Sequence, residues 1–397
     1  MRTKILFDLE AAQPKLDGTP HGAGEYAHVV FKRLSAVNTS AEITAIYNPS
    51  KWLDPALRNL ASKAPIELVE IRNIDEFHKL VDLNNFQKFY SSAPRKYYDS
   101  DLKNLQVIFT IHGLRRIEKE EGRIPSSSRP VRQVIRSSLR SLLNRGKVNT
   151  RKEKDKRLVN IKAAKFNIVV PSLHTKYNLI NTFPELSEID IRVLYSPIPF
   201  LVNEEKLGDC QVIINNFDLQ SRQFFLLVNA RRSEKNAQFG MQALDNVFTR
   251  FPSLKKSVLV VGADDKYPRF EGLQNRDCFK LIEYIERSTL ECLYKEAYAL
   301  IFPSLDEGFG YPPLECMRYG TPVLCSVNTS MAELYYGAAL LFNPLMVREL
   351  EARILTILLE KDVWEEYSSR GLIRYKELSK RQNEDLEKLV NLILAPL

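Results

Sequence analysis

Short apolar runs recur along this chain and alternate with segments of helical periodicity. The run Phe-Phe-Leu-Leu-Val at 224–228 is typical, because no polar residue stands at every second position. Strands covered on both faces have this character, whereas strands with one face in water alternate. The pattern predicts parallel sheets packed between helices. The predicted strands are 4–9, 42–47, 66–71, 107–111, 167–171, 224–228, 257–262, 278–281, 299–303 and 322–326.

The predicted strands fall into two series, separated by residues 197–221, which lack a clear pattern. A chain of 397 residues has the length of two or three domains. We therefore predict two doubly wound α/β domains joined by a linker, with a cleft between them. Sheets of this kind bind ligands outside the carboxyl ends of their strands. Site residues are expected in the loops that follow those strands.

Composition narrows the class of protein. Hydrophobic residues make up 44% of the chain, as in a globular protein. The five cysteines are odd in number, scattered and without metal-ligand spacing, which predicts reduced thiols, a cytoplasmic location and no metal site. The N-terminal apolar stretch is too short for a signal peptide. No apolar run approaches the roughly 18 residues that a spanning helix needs.

Residues 303–315, Pro-Ser-Leu-Asp-Glu-Gly-Phe-Gly-Tyr-Pro-Pro-Leu-Glu, follow a predicted strand. Gly308 and Gly310 allow backbone to approach a ligand, and a proline suits the first turn of a helix. The free N–H groups of a helix start attract phosphate. Glu307 and Glu315 flank this loop, and carboxylates accept hydrogen bonds from hydroxyls, so the pattern points to a nucleotide sugar. A surface turn with two solvated glutamates is the alternative, although apolar residues surround Glu315.

The same run resembles retaining glycosyltransferases of family 4 (glycosyl transferases group 1). These enzymes carry two glutamates with seven residues between them in an E-G-F-G-x-P-x-x-E-like run, and the match continues at 320–323 and 330–333. The resemblance implies that Glu307 contacts the transferred sugar and that Glu315 binds the ribose hydroxyls. The loop residues that it assigns to the donor site are Gly308, Phe309, Gly310 and Tyr311.

The resemblance also implies a fold. Family 4 enzymes have the GT-B architecture, in which two Rossmann-like, doubly wound parallel-sheet domains face a central cleft. It implies an N-terminal acceptor domain at 1–200 and a nucleotide-sugar donor domain at 222–375. A C-terminal helix at 376–397 is expected to cross back to the N-terminal domain.

Lys235 lies in the segment after predicted strand 224–228, in Arg-Arg-Ser-Glu-Lys-Asn at 231–236. This segment resembles the family loop whose basic residues bind the donor diphosphate, which makes Lys235 a catalytic candidate. Arg231 or Arg232 is expected to supply a second cation. The segment departs from the family pattern, since Asn229 replaces a glycine and Glu234 stands where an arginine is common. A solvated basic loop is the alternative.

Weaker resemblances complete the predicted site. His112 ends predicted strand 107–111 and resembles the family histidine that touches the donor sugar near the reacting carbon. Gly113 replaces the aspartate that usually follows, and a structural histidine is the alternative. Gly22 and Gly24 resemble the first-loop G-x-G, which approaches the donor phosphate and lines the acceptor side. Ile285 lies in a turn that resembles the one whose backbone recognises the base.

The formal net charge of +8 is concentrated in one segment. Residues 129–165 carry thirteen basic and two acidic residues, a local charge of +11. Within 129–145 the apolar residues lie on one helical face with arginines beside them, as expected for an amphipathic helix at an anionic membrane surface. An ordinary core-facing helix is the alternative. Nucleic-acid binding is not expected, because aromatic interleaving and a known motif are absent from the sequence.

Together these features predict a retaining glycosyltransferase. It would move a sugar from a nucleotide-diphosphate sugar to a saccharide or lipid-linked saccharide acceptor, in cell-surface polysaccharide or lipopolysaccharide synthesis. We expect no metal and no cofactor beyond the donor, and a cytoplasmic protein peripheral to the inner face of the cell membrane. The alternatives are a non-catalytic sugar-nucleotide-binding protein and a sugar-nucleotide epimerase of the same fold.

Overall fold

A computed structural model describes residues 2–14, 22–114, 157–198, 210–264 and 272–396. The chain divides into two compact units. The first consists of Met1–Phe200 with Gln382–Leu397, and the second of Leu201–Arg381. The basic segment predicted to meet a membrane, 129–145, lies outside the described residues.

The first unit is built on a parallel sheet of seven strands. The chain order of the strands is reversed at one position, so that β1 lies between β2 and β4 and the full order is β3-β2-β1-β4-β5-β6-β7. The strands are β1 (Lys4–Asp8), β2 (Glu42–Tyr47), β3 (Ile66–Glu70), β4 (Lys88–Ser91), β5 (Asp101–Thr110), β6 (Lys162–Val170) and β7 (Asp190–Val193).

Helices cover both faces of this sheet, which explains why its strands are apolar without alternation. Ile5 and Phe7 of β1 pack in one core cluster, and Leu6 between them packs in another. The residues of both clusters are buried. The helices are α1 (Gly22–Ser35), α2 (Pro55–Lys63), α3 (Ile74–Leu83) and α4 (Leu173–Thr182).

The second unit contains a parallel sheet of six strands in the order β10-β9-β8-β11-β12-β13. The strands are β8 (Phe224–Leu227), β9 (Ser257–Val261), β10 (Phe279–Ile282), β11 (Ala299–Phe302), β12 (Val323–Ser326) and β13 (Leu340–Phe342). The helices are α5 (Gln211–Asn216), α6 (Ala237–Arg250), α7 (Arg287–Glu296), α8 (Tyr311–Met317), α9 (Ser330–Tyr335) and α10 (Val347–Leu359). A final helix, α11 (Lys361–Leu394), contributes to the second unit up to Arg381 and to the first from Gln382.

The predicted fold class is confirmed, since both units are Rossmann-like parallel sheets with helices on their faces. All ten predicted strands are present, with ends that differ by a few residues. Three further strands were not predicted: β4 and β7 each have two polar residues among four, and β13 has only three residues. The segment predicted as a linker contains the short helix α5.

One prediction from composition is wrong. Cys210 and Cys292 form a disulfide, whereas all five cysteines were expected to be reduced. The two cysteines are 82 residues apart, and no local spacing rule detects a pair so distant. The other three, Cys278, Cys316 and Cys325, are free thiols in the core.

Among the described residues, no helix is long and apolar enough to cross a membrane.

Candidate functional site

The strand order of the second sheet reverses between β8 and β11, which lie side by side. In doubly wound sheets such a switch point opens the crevice where ligands bind. The segment after β8 ends in a 3-10 turn at Ser233–Lys235, and the glycine loop follows β11. The N–H of Leu305 donates to the carbonyl of Glu234 at 2.8 Å. Two separately predicted motifs therefore meet at the switch point.

Lys235 and Glu307 form a buried ion pair at this position. Lys235 Nζ donates to Glu307 Oε1, and their side chains are only 6% and 8% exposed. The Ser304 hydroxyl donates to the same carboxylate oxygen at 2.7 Å. A buried charge is costly unless it is paired and hydrogen-bonded, so each group stabilises the other. The pair provides a cation and a hydroxyl acceptor within one small volume.

Two residues after β12 hold the backbone of Glu307 and were not predicted as site residues. The N–H of Glu307 donates to Thr329 Oγ1 at 3.1 Å, and Ser330 Oγ donates to its carbonyl at 2.9 Å. Thr329 has a φ of 55°, which is rare for a β-branched residue and is typical of functional sites. The family-like run at 330–333 was the available sequence signal for this contact.

The glycine loop ends at Gly310, which is the N-cap residue of α8 and has a φ of 76°. Tyr335 Oη donates to its carbonyl at 2.6 Å. A Cβ at this position would lie 2.8 Å from Met331 Sδ, so the Met331 side chain would have to shift, and the positive φ itself favours glycine. Gly308 is half-buried in the same loop, and the ring centroids of Phe309 and Tyr311 are 5.3 Å apart.

Glu315 lies in the middle of α8 with its side chain 10% exposed. Arg287, the first residue of α7, donates from Nη2 to Glu315 Oε1 at 2.6 Å and to Glu291 Oε1 at 2.7 Å. Burial raises the pKa of the Glu315 carboxyl, and the Arg287 guanidinium opposes that rise. Arg287 was not predicted, because a pair 28 residues apart leaves no mark in a single sequence.

The two arginines considered for the diphosphate have carboxylate partners. Arg231 Nη1 lies 2.7 Å from Glu283 Oε1, and its Nη2 donates to Asp264 at 2.5 Å. Arg232 Nε donates to Glu234 Oε1 at 2.8 Å. Both arginine side chains are about half exposed, in contrast to Lys235. Ile285 is half-buried two residues before α7 begins, in the turn where it was predicted.

The remaining predicted residues lie in the first unit. His112 follows β5, and its ring meets the Tyr26 ring of α1 edge to face at 4.7 Å. Gly22 is the first residue of α1, and Gly24 is buried in its first turn. Within this unit, His112 thus contacts α1, the helix that begins with the glycine segment. Their roles toward a donor or an acceptor remain predictions.

Residues 223–360, which include Lys235, Glu307 and Glu315, match the family model described as Glycosyl transferases group 1. This part of the chain is a glycosyl transferases group 1 domain. The buried Lys235–Glu307 pair lies within this matched part of the chain.

Two curated relatives named as mannosyltransferases are similar to this chain. The chain is 28% identical over 177 residues to O-antigen chain mannosyltransferase B of Escherichia coli, covering 43% of this chain and 46% of the relative. It is 30% identical over 151 residues to O-antigen chain mannosyltransferase RfbU of Salmonella typhimurium, covering 36% and 42%. The matches thus span less than half the length of either relative.

The structural similarity extends beyond the group 1 domain. Sucrose-phosphate synthase of Thermosynechococcus elongatus superposes with a TM-score of 0.65, covering 98% of each chain at 15% identity. An identity this low shows the fold alone, and that fold is GT-B.

Among the described residues, no group of three or more histidine, cysteine, aspartate or glutamate side chains is placed to hold a metal ion.

Proposed function

We propose that this protein is a retaining glycosyltransferase that uses a nucleotide-diphosphate sugar as donor. The buried Lys235–Glu307 pair at the switch point of a group 1 domain carries the proposal. A cation and a carboxylate are the two groups that a sugar diphosphate requires. Glu315, eight residues beyond Glu307, supplies a second buried carboxylate for the ribose.

Each group has a separate chemical task. Glu307 accepts hydrogen bonds from hydroxyls of the transferred sugar, and Ser304, Thr329 and Ser330 hold it in place. Lys235 donates to the diphosphate and stabilises the negative charge that develops as the diphosphate leaves. A charge-assisted hydrogen bond of this kind contributes about 1.5–3 kcal/mol. Such preorganised electrostatics usually supply the largest part of catalysis.

The stereochemistry and the role of His112 are proposed from the family resemblance. The acceptor hydroxyl attacks the anomeric carbon on the face from which the diphosphate departs, and a leaving-group oxygen accepts its proton. The new glycosidic bond forms as the bond from the anomeric carbon to the phosphate oxygen breaks, with retention. His112 is proposed to lie near that carbon, and Gly22 and Gly24 on the acceptor side.

The relatives suggest which sugar to test first. Both are named O-antigen chain mannosyltransferases, so we propose mannose as the transferred sugar and a saccharide or lipid-linked saccharide as acceptor. A cytoplasmic location at the inner face of the membrane stays a prediction.

A panel of nucleotide sugars tests the donor site. UDP-, GDP-, ADP- and dTDP-sugars, including GDP-mannose, would be tested by thermal shift on the native protein and on Glu315→Ala. One donor is expected to stabilise the native protein, by about 2.7 kcal/mol at a hundredfold excess over its dissociation constant, and to lose this effect in the variant. The absence of any shift would contradict the proposed donor site.

Turnover separates the proposal from its alternatives. The donor found in the panel would be incubated with saccharide acceptors, and the anomeric configuration of the product read by NMR. A retained configuration supports the proposal, and an inverted one contradicts it. Donor binding without transfer to any acceptor would favour a sugar-nucleotide-binding protein. Conversion of the donor itself would favour an epimerase.

A further inference from the structure

Arg287 contacts the carboxylate that the proposed function assigns to ribose. Its Nη2 lies 2.6 Å from Glu315 Oε1, and the Glu315 side chain is 10% exposed. The Arg287 side chain is itself 37% exposed, so it is more accessible than the carboxylate that it contacts. A carboxylate has about four acceptor sites on its two oxygens. The contact with Arg287 therefore leaves acceptor capacity for two ribose hydroxyls.

The second carboxylate near Arg287, that of Glu291, does not depend on Arg287 alone. Glu291 accepts from Tyr319 Oη at 2.9 Å and lies 3.9 Å from Arg318 Nη1. Glu291 therefore keeps a hydrogen bond and a cation if Arg287 is removed. Arg287 is the cation that contacts Glu315 among the described residues. The other titratable groups that face this carboxyl are Glu291 and Tyr294 of α7, Cys316 of α8 and Tyr335 of α9.

We propose that Arg287 is a positioning residue of the donor site, which fixes one oxygen of Glu315 and keeps this buried carboxyl in the anionic, hydroxyl-accepting form. This inference rests on the proposed function, because it gives Glu315 the ribose. Burial alone favours a neutral carboxyl, which would present a donor and fewer acceptor sites. Arg287 thus determines how well the site distinguishes ribose from deoxyribose.

The 2′-hydroxyl provides a direct test. Dissociation constants would be measured for UDP, GDP and ADP, and for the 2′-deoxy form of whichever binds best. A hydrogen bond to a charged group corresponds to about a tenfold preference or more for the ribonucleotide. We expect this preference in the native protein. It should fall to about threefold or less in both Arg287→Gln and Glu315→Gln.

Three further variants separate positioning from general damage. Arg287→Lys keeps the charge and should retain part of the preference, and it serves as the test variant if Arg287→Gln does not fold. In Glu315→Gln/Arg287→Gln, the preference should be no lower than in either single variant. Arg250→Gln is the matched control, because Arg250 pairs with buried Glu351 in the same unit at 2.5 Å. It should lower stability and leave the preference intact.

The pH dependence of the ribose preference also tests the proposal. If Arg287 only stabilised the fold, its removal would not change this pH dependence. Removing Arg287 removes the cation that lowers the pKa of Glu315, so that pKa rises further. The ribose preference of Arg287→Gln should therefore recover as the pH is raised and the carboxyl ionises. The native protein should show a flatter profile over the same range.

The possible failures are distinguishable. If Arg287→Gln keeps the full ribose preference while Glu315→Gln loses it, the positioning role is wrong and the proposed function survives. If Arg287→Gln lowers the preference further in the Glu315→Gln background, Arg287 binds the ligand directly and positioning is again wrong. If Glu315→Gln keeps the preference, the ribose assignment fails. If the native protein binds none of UDP, GDP and ADP, the inference fails, and the proposed function fails with it only if the dTDP-sugars of the donor panel do not bind either.

Discussion

Both sheets reverse their strand order, and a buried carboxylate lies at each reversal, but the two carboxylates are neutralised differently. In the second unit, Lys235 contacts Glu307 directly and is itself buried. In the first unit, Asp8 at the end of β1 is 1% exposed and accepts from Ser91 Oγ at 2.7 Å. The Lys96 ammonium is 3.9 Å from Asp8, 38% exposed, and shared with Glu10.

The difference shows that the two sheets hold a buried carboxylate at the switch point in two ways, one with a neutral hydroxyl and one with a buried cation. Asp8 bridges β1 and β4 through a neutral hydroxyl, which serves the packing of the sheet. Burial raises the pKa of the Asp8 carboxyl, and Lys96 and Ser91 oppose the rise. Glu307 instead has a counter-charge placed within the protein, where the proposed function puts the sugar diphosphate.

Removing the buried cation should give the largest effect on stability. In Lys235→Met, Glu307 would be left as an uncompensated buried carboxylate, so the free energy of unfolding should fall by about 3–5 kcal/mol. Urea unfolding of the native and variant proteins measures the change. Lys235→Met/Glu307→Gln should recover much of the loss, because it removes both charges. A loss below about 1 kcal/mol in the single variant would mean that the pair is no better coupled than Asp8 and Lys96.

The glycine loop should show an intermediate effect. Gly310→Ala adds a Cβ against Met331 at a φ of 76°, whereas Gly337→Ala adds one at a φ of 77° with no atom within 4 Å. Backbone strain alone costs roughly 1–2 kcal/mol, and crowding should add about 1 kcal/mol at Gly310. Thermal unfolding of both variants measures the difference. Equal losses would show that the loop around Glu307 is loosely packed.

Neutralising the carboxylate of the first unit should have the smallest effect. Asp8→Asn keeps an acceptor for Ser91 and removes a charge whose burial is unfavourable. Because the folded-state pKa of Asp8 is raised, protonation stabilises the fold fully below pH 3.8, and this contribution is lost as the pH rises through the raised pKa. At pH 7 the variant should therefore be within about 1 kcal/mol of the native protein or more stable.

The advantage of Asp8→Asn should disappear as the pH falls toward 3.8, where native Asp8 is protonated as well. Melting temperatures of both proteins between pH 3.5 and 7.5 test this. A large loss of stability at pH 7 would show that the fold needs the negative charge of Asp8. The carboxylates at both switch points would then be ionised groups that stabilise the fold.

The sequence predicted those parts of the fold and site that local residue order controls. Residues 224–228 are apolar throughout and predicted β8 without ambiguity. β4 begins with Lys88, which suggests an exposed position, yet its ammonium is buried and donates to the carbonyl of Leu392 at 2.8 Å. That partner lies 304 residues away, so the burial of Lys88 depends on a tertiary contact that no local pattern contains.

The same reasoning applies to the candidate site. Glu307, Glu315 and Lys235 could be proposed as site residues because each lies in a short run with a family-like order, and all three lie within the residues that match the group 1 model. Arg287 and Thr329 were not predictable, because their importance lies in which side chain they contact. Sequence order gives residue types along each loop, whereas the sheet determines which loops meet.

The last helix has a consequence for how the chain is made. Leu389, Val390 and Ile393 of α11 lie in the core of the first unit, and Asp385 accepts the N–H of Tyr195 at 2.9 Å. The first unit therefore cannot complete its core until the second has been translated. At about 5–20 residues per second, residues 201–381 take roughly 10–40 s to synthesise. During that interval the core cluster of the first unit lacks the side chains of Leu389, Val390 and Ile393.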